Sequence, residues 1–448
     1  MNLVAFSIRT KGAHNFARRL WTVFARFGFT DARSRRTLLS ILASVRKYGG
    51  SPTFFIPAVV LRRHPELINE IALCGAEIGS HGYVHNDYRS LSGASQHQQT
   101  EQALEVFHDV QLQCLGFRNP YLGWTDDAVR SFAALGFGYD SNEAIIHDVV
   151  DRSQLTPTLR AGFEKSLSLF QAITPSAYTL RPHFEGALVR IPTSIPDDEM
   201  LYDRLRITDQ VALGNLWQEV MSRVYGLSGI YTLNLHPERG VLCKPALNRL
   251  LAYSQQQPLP VWLASLREVE LWWRERAQFR FSIEPLGETS WRIEANCTPR
   301  ATILARHLTV DNAPIAEWTG TDCTVDARHF TVQAALCPCI ALSPRTSNDV
   351  EAFLYEQGYL VQRVETDTDR AARYALALDI PDGLGKTRSE QIEKRSALVA
   401  EIEALEKPLV RYGIWPDRAC AALAITGDID SITVQDFFLR IVEARQYA

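Results

Sequence analysis

At 448 residues the chain is too long for one ordinary hydrophobic core, because single cores stop growing at about 250–300 residues, so two or three structural units are expected. Hydrophobic residues at 46% and charged residues at 22% are an ordinary globular balance, and a net charge of −4 from 47 basic and 51 acidic residues lacks the basic footprint of a general nucleic-acid binder. No window holds the roughly 18 uninterrupted apolar residues of a membrane span. The opening residues 1–12 do not read as a secretory signal, so a cytoplasmic setting with reduced cysteines is expected.

In chain order, residues 14–28 read as a helix whose Arg18, Arg19 and Arg26 either touch anionic lipid or pack internally. Leu38, Leu39, Ile41, Leu42 and Val45 recur at helical spacing within 34–50, and Gly49-Gly50 ends that helix. Pro52–Pro57 is a short apolar run suited to a buried strand. Helices are expected at 65–74, 95–114 and 125–135, alternating with strands at 76–79, 115–118 and 137–139. Such alternation implies a parallel sheet, open or closed into a barrel. Further strands fit 187–192, 229–235 and 260–263, with helices at 208–226 and 266–276. From about residue 277 the pattern shortens into strands at 279–283, 290–295, 301–304 and 329–333, read as a small β-sandwich. A mixed element at 346–380, a charged helix at 388–407 and an apolar strand at 419–427 follow. The expected division is 1–276, 277–345, 346–408 and 409–448. Cys337 and Cys339 are too close for a zinc ribbon and read as small core residues, and the other cysteines are scattered.

Three clusters stand out chemically. His81 and His85 lie four apart after an expected strand, with Gly82 between them, and imidazoles suit zinc or another borderline divalent ion. A pair of hydrogen-bonded loop histidines fits the same spacing. Asp428-Ile-Asp430 reads, by itself, as a loop before a helix at 434–445 that Asp430 or Ser431 caps. Pro196-Asp-Asp198 reads as a solvated loop rather than groove lining, and Trp124 as either a sugar platform or a core aromatic.

Thr53-Phe-Phe, Ile78-Gly-Ser-His-Gly-Tyr-Val-His85, Phe117-Arg-Asn-Pro-Tyr121 and Leu235-His-Pro237 fall in order within 34–275. Together they resemble four segments of the NodB-type polysaccharide deacetylases, carbohydrate esterase family four. The resemblance implies an α/β fold, a deformed (β/α) barrel, here with a β-rich sandwich-like domain and a C-terminal α/β segment added. It also implies a divalent metal, zinc first with cobalt, nickel or manganese as alternatives, held by an Asp-His-His set. A water would be the nucleophile, and acetate would leave an N-acetylated sugar or glycan. Carried over residue by residue, His81 and His85 are ligands and His236 is the general acid. Arg118 orients the carboxylate base, and the Tyr121 backbone N–H helps hold the oxyanion.

One segment departs from the family pattern. The first family motif, an acidic pair after an initial strand, has no counterpart near Val4–Gly12, and the first acidic residue in the chain is Asp31. Its F-D-x-D form resembles Leu423-Ala-Ile-Thr-Gly-Asp-Ile-Asp430 instead. That placement implies Asp430 as the third ligand and Asp428 as the base, in an order that looks like a circular permutation. The segment would complete the barrel of its own chain or of a neighbouring subunit, or begin a further domain. Two competing functions stay open at this point: a catalytically silent carbohydrate-binding relic, and a hydrolase of a small non-sugar amide.

Overall fold

The computed structural model describes residues 23–364 and 372–447. Most of the helix expected at 14–28, including Arg18 and Arg19, falls outside the described residues; Arg26 donates to Asp203 at 2.8 Å. The strands of the first unit are β1 (Thr53–Ile56), β2 (Glu77–Ser80), β3 (Gly116–Phe117), β4 (Tyr139–Asp140), β5 (Ala144–Ile146), β6 (His183–Glu185), β7 (Leu188–Arg190), β8 (Thr193–Ile195), β9 (Ile230–Leu235) and β10 (Val261–Leu263). They join an 11-stranded sheet whose remaining member is the distant strand Ala421–Asp428.

That distant strand occupies the middle of the sheet. The order runs β5, β8, β9, Ala421–Asp428, β1, β2, β3, β4, β7, β6, with β10 also paired to Ala421–Asp428. Thr426 lies opposite Thr53 on one side, and Ala424 lies opposite Thr232 on the other, both in parallel register. Within this sheet and among the described residues, only β6 and β7 pair antiparallel. β1, β9 and Ala421–Asp428 are buried along their whole lengths. Continuous apolar runs of this kind belong to parallel strands covered on both faces.

The sheet is curled into an open barrel. β4 and β5 sit at positions far apart in the strand order, yet only residues 141–143 separate them in the chain. Four peptide steps reach at most about 14 Å, so the two flanks must bend toward each other. Helices such as Pro65–Leu73, Gly93–Asp109, Gln210–Gly226 and Pro237–Ser254 make the crossovers that parallel strands require. Alternate residues of β1 serve different layers. Phe54 and Ile56 join Leu38, Ile41 and Leu247 of the helix layer, whereas Phe55 joins Tyr139 and Val189. The second of these cores continues through Trp272 and Trp273 into the accessory region.

The accessory region holds two four-stranded antiparallel sheets, one of Arg280–Pro285, Ser290–Asn296, His329–Gln333 and Thr309–Asp311, the other of Ile315–Glu317, Asp322–Val325, Ile303–Arg306 and Leu409–Tyr412. The segment from 409 onward therefore passes through this second sheet before reaching the barrel. A parallel three-stranded sheet of Val361–Arg363, Cys337–Leu342 and Tyr374–Leu378 carries the helices Asn348–Glu356 and Arg388–Glu403. Cys337 and Cys339 are buried in its central strand, and all eight cysteines are free. Among the described residues no helix is long and apolar enough to cross a membrane.

The C-terminal helix Val434–Gln446 corrects one expectation. Its cap is Thr433, whose hydroxyl accepts from Asp436 N at 3.2 Å while the Asp436 carboxylate accepts from Thr433 N at 2.9 Å. Asp430 and Ser431 lie outside this capping box and are free for another role. Asp436 also receives Arg63 at 2.7 Å and His64 at 2.8 Å. Burial opposes its charge, but the bonds from His64 and Thr433 win and hold its carboxyl below the usual range. Asp436→Ala is expected to destabilise the protein by about 2–3 kcal/mol at neutral pH, from a lost cap and lost charged hydrogen bonds. Because the folded pKa is depressed, this stability is present above the ordinary 3.8 and is lost as pH falls through the folded value. Urea titrations at pH 7 and pH 3 check it: a difference that does not shrink in acid would contradict this account.

Candidate metal centre and active site

Parallel strands present all their C-terminal ends at one edge, and the loops leaving that edge build the site. His81 and His85 follow β2, Arg118 follows β3, Asp197 and Asp198 follow β8, and His236 follows β9. Asp428 ends the strand Ala421–Asp428, with Asp430 two residues on. The topology alone thus gathers residues more than 300 positions apart in the sequence.

His81 donates from Nδ1 to the Arg118 carbonyl at 2.8 Å, an acceptor-only partner that fixes the tautomer and leaves the Nε2 lone pair free. That Nε2 lies 3.6 Å from Asp430 Oδ1, and His85 Nε2 lies 3.3 Å from the same oxygen. The two rings are 5.2 Å apart. One ligand atom from each of the three residues falls within 4.8 Å of the others. Asp430 Oδ1 is buried without a hydrogen-bond partner among the described residues, while Oδ2 is held by Arg440 at 2.6 Å. Burial pushes the His81 imidazole down to about 4, against the opposing pull of Asp428 and Asp430. A neutral imidazole with a free lone pair beside an orphaned carboxylate oxygen is a donor set that fits a divalent cation.

The histidine pair meets without a helical turn. Gly82 has φ +84°, and a Cβ there would lie 3.1 Å from the Val84 carbonyl, so the turn favours glycine. The Gly82 and Tyr83 carbonyls accept from Ala58 N and Val59 N at 2.9 and 3.1 Å, which anchors the loop.

Arg118 is fully buried and reaches across the barrel. It donates to Asn234 and Thr426 at 2.8 Å each, to Ser141 Oγ at 3.0 Å and to Asp428 Oδ1 at 3.2 Å. Asn234 completes the cradle by donating to Asp428 Oδ2 at 2.8 Å. Burial disfavours the Asp428 charge, but Arg118 and then His81 outweigh it and hold the carboxyl below its ordinary value.

The 196–198 loop is not solvated, contrary to the sequence reading. Asp197 and Asp198 are 5% and 0% exposed, because β8 is an interior strand whose end turns into the cleft. Asp198 accepts from His236 Nδ1 at 2.7 Å and from His236 N at 2.8 Å. Burial opposes the imidazolium, yet the Asp198 carboxylate prevails and holds His236 well above its ordinary range. Burial pushes the Asp197 carboxyl up to about 7. Asp197, Asp198 and His236 form a second group with ligand atoms within 4.8 Å, but here the His236 Nδ1–Asp198 bond already uses one donor pair.

Tyr121 adopts φ +61° and sets its ring against His85 at 4.9 Å, while 45% of the residue stays exposed. With His81, His85, His236, Asp428 and Asp430 it lines one cleft. Trp124 lies instead against the Arg190 and Arg388 guanidinium groups, 4.1 and 4.4 Å from its ring centre.

Four supporting residues escaped the sequence reading: Asn234, Thr426, Ser141 and Arg440. For two of them a signal existed, since alternate strand residues share a face. Asn234 precedes His236 by two, and Thr426 precedes Asp428 by two. Ser141 and Arg440 carry no such mark.

Residues 29–139 match the polysaccharide deacetylase family model. That stretch contains His81, His85, Arg118 and Tyr121 but not His236, Asp428 or Asp430. Among solved structures, a candidate polysaccharide deacetylase from Mycobacterium smegmatis is 20% identical, with 60% of this chain and 82% of that one covered at a TM-score of 0.42. Puue allantoinase is 17% identical over 53% and 72%, at 0.40. A carbohydrate esterase family four pseudoenzyme from Bacillus anthracis, BA3943, is 17% identical over 39% and 56%, at 0.24. At these values none of them assigns an activity to this chain.

Proposed function

We propose that this protein is a metal-dependent hydrolase that removes acetyl groups from an N-acetylated sugar or glycan. The carrying observation is the convergence of His81, His85 and the unpartnered Asp430 Oδ1 beside a cradled Asp428. His81, His85 and Asp430 hold a divalent ion, with zinc the first candidate from the two imidazoles. Such an ion supplies Lewis acidity toward the amide carbonyl and makes a water in the cleft more acidic.

The chain's own groups do the rest. Asp428, kept ionised by Arg118, accepts the proton of the attacking water. The Tyr121 backbone N–H, from the strained loop over His85, donates to the oxygen that gains negative charge. His236 lines the same cleft as the imidazolium that Asp198 maintains, and it protonates the departing amine. Asp198 also fixes the ring through Nδ1, so Nε2 carries the proton given up.

The same reading assigns the strand Ala421–Asp428 the place of the family's first strand, with the chain order rotated. Its parallel pairing to β1 and β9 within one chain supports this over completion of a neighbour. Proximity of Asp430 to both imidazoles supports an intact ligand set over a silent relic. The deciding experiment measures bound metal and acetate release from N-acetylglucosamine oligomers. Metal near one equivalent with metal-dependent acetate release is expected. Metal-loaded protein that releases no acetate from any oligomer would remove the sugar deacetylase reading.

A further inference from the structure

The loop 119–124, which carries Tyr121, is tied at both ends to one charge cluster. At its start, Asn119 N donates to Asn142 Oδ1 at 2.6 Å, and Asn142 Nδ2 donates to Asp140 at 2.7 Å. Asp140 in turn takes two bonds from Arg190, at 2.9 and 3.0 Å, and neither partner's side chain has any exposed surface. At its end, Trp124 stacks on that same Arg190. Within the loop, Asn119 Nδ2 closes on the Gly123 carbonyl at 2.8 Å.

A residue from the accessory region also lies over the Trp124 ring. Arg388 opens the helix Arg388–Glu403 and lies over the indole at 4.4 Å. It is pinned there by Glu185 at 2.5 Å, with Asp126 and Glu143 at 3.3 and 3.4 Å. Glu185 and Glu143 also face Arg190, at 3.0 and 3.2 Å. The two guanidinium groups therefore share the carboxylates of Glu185 and Glu143 and the Trp124 ring. A cation over an indole face is attracted by the ring's electron-rich surface, and here two cations lie within 4.4 Å of the ring centre. The loop needs such restraint, because Tyr121 and Leu122 both hold positive φ, 61° and 52°, a conformation that side chains other than glycine resist.

We propose that Arg388 is a positioning residue: it clamps Trp124 on Arg190 and so holds the 119–124 loop in the geometry that the Tyr121 N–H requires. The accessory region thereby acts on the barrel's chemistry through one side chain. The role given to Tyr121 rests on the function proposed above; the clamp itself rests on the contacts.

Hydrogen exchange on the full chain tests the clamp without reference to activity. In Arg388→Ala the protected amides of Asn119, Leu122 and Gly123 are expected to exchange several-fold faster, with β1 and Ala421–Asp428 unchanged. Arg388 is partly exposed, so the variant is expected to fold. In deacetylation assays kcat is expected to fall about ten-fold, since small misplacements of a catalytic group cost rate steeply, while KM and bound metal stay unchanged. Arg388→Lys, which keeps the charge but not the planar fork, restores the rate in part. Adding Arg388→Ala to Trp124→Leu is expected to cost nothing further, because both act through one stack. Wild-type exchange in the loop of Arg388→Ala would overturn the clamp, as would fully additive losses or a uniform rise in exchange across the barrel. If the wild type releases no acetate, the proposed function fails and loop exchange alone decides the clamp.

Discussion

His81→Ala or His85→Ala is expected to strip most bound metal and nearly all hydrolysis. Each change removes one of the three donors that converge there, and Asp430 already gives its other oxygen to Arg440. Asp430→Asn is expected to do the same, because it replaces the anionic donor by a neutral amide. Asp428→Asn separates the two acids: metal is retained, but the proton acceptor is gone and the rate collapses. Metal analysis by mass spectrometry beside initial rates reads both quantities. Full occupancy in His81→Ala and His85→Ala would sink the ligand set, and metal loss in Asp428→Asn alone would mean that the two acids have exchanged roles.

His236→Ala is expected to keep its metal and lose turnover by ~10²–10⁴-fold, the usual value of a positioned general acid. A pH profile reads the same assignment through Asp198. The imidazole must carry a proton to donate one, and the Asp198 carboxylate outweighs burial to keep it there. Asp198→Asn removes that support, so His236 loses its proton at lower pH and the alkaline limb of the rate profile moves toward acid. An unchanged acetate rate in His236→Ala, or an unmoved alkaline limb in Asp198→Asn, would take the pair out of the mechanism.

The barrel was legible because buried parallel strands leave apolar runs such as Thr53–Ile56 and Ala421–Thr426, and helices between them leave a 3.6-residue period. Site positions on strand ends were legible where a short motif surrounds them, as at His81, His85 and His236. Asp198 was misread because two adjacent acids after a proline look like a solvated turn, and only the sheet order reveals that β8 is interior. The cap at Thr433 was missed because Asp430 and Ser431 are equally good cap types nearby, and only hydrogen bonds choose between them. Strand pairing in the accessory sheets was illegible for a further reason: Leu409–Tyr412 meets Ile303–Arg306 across a hundred residues, a pairing that no local pattern encodes.

The central place of Ala421–Asp428 has a consequence for how the molecule comes into being. While a ribosome is still reading codons before 421, β1 and β9 have been made but lack the strand that separates them, so the nascent sheet has two unpaired interior edges. Such edges template wrong pairings, and closing them over so long a separation is entropically slow. Insertion of Ala421–Asp428 between β1 and β9 is then the event that allows the barrel to lock. Until that moment the half-built domain, with the apolar flanks of β1 and β9 bare, is a natural client for a holding chaperone.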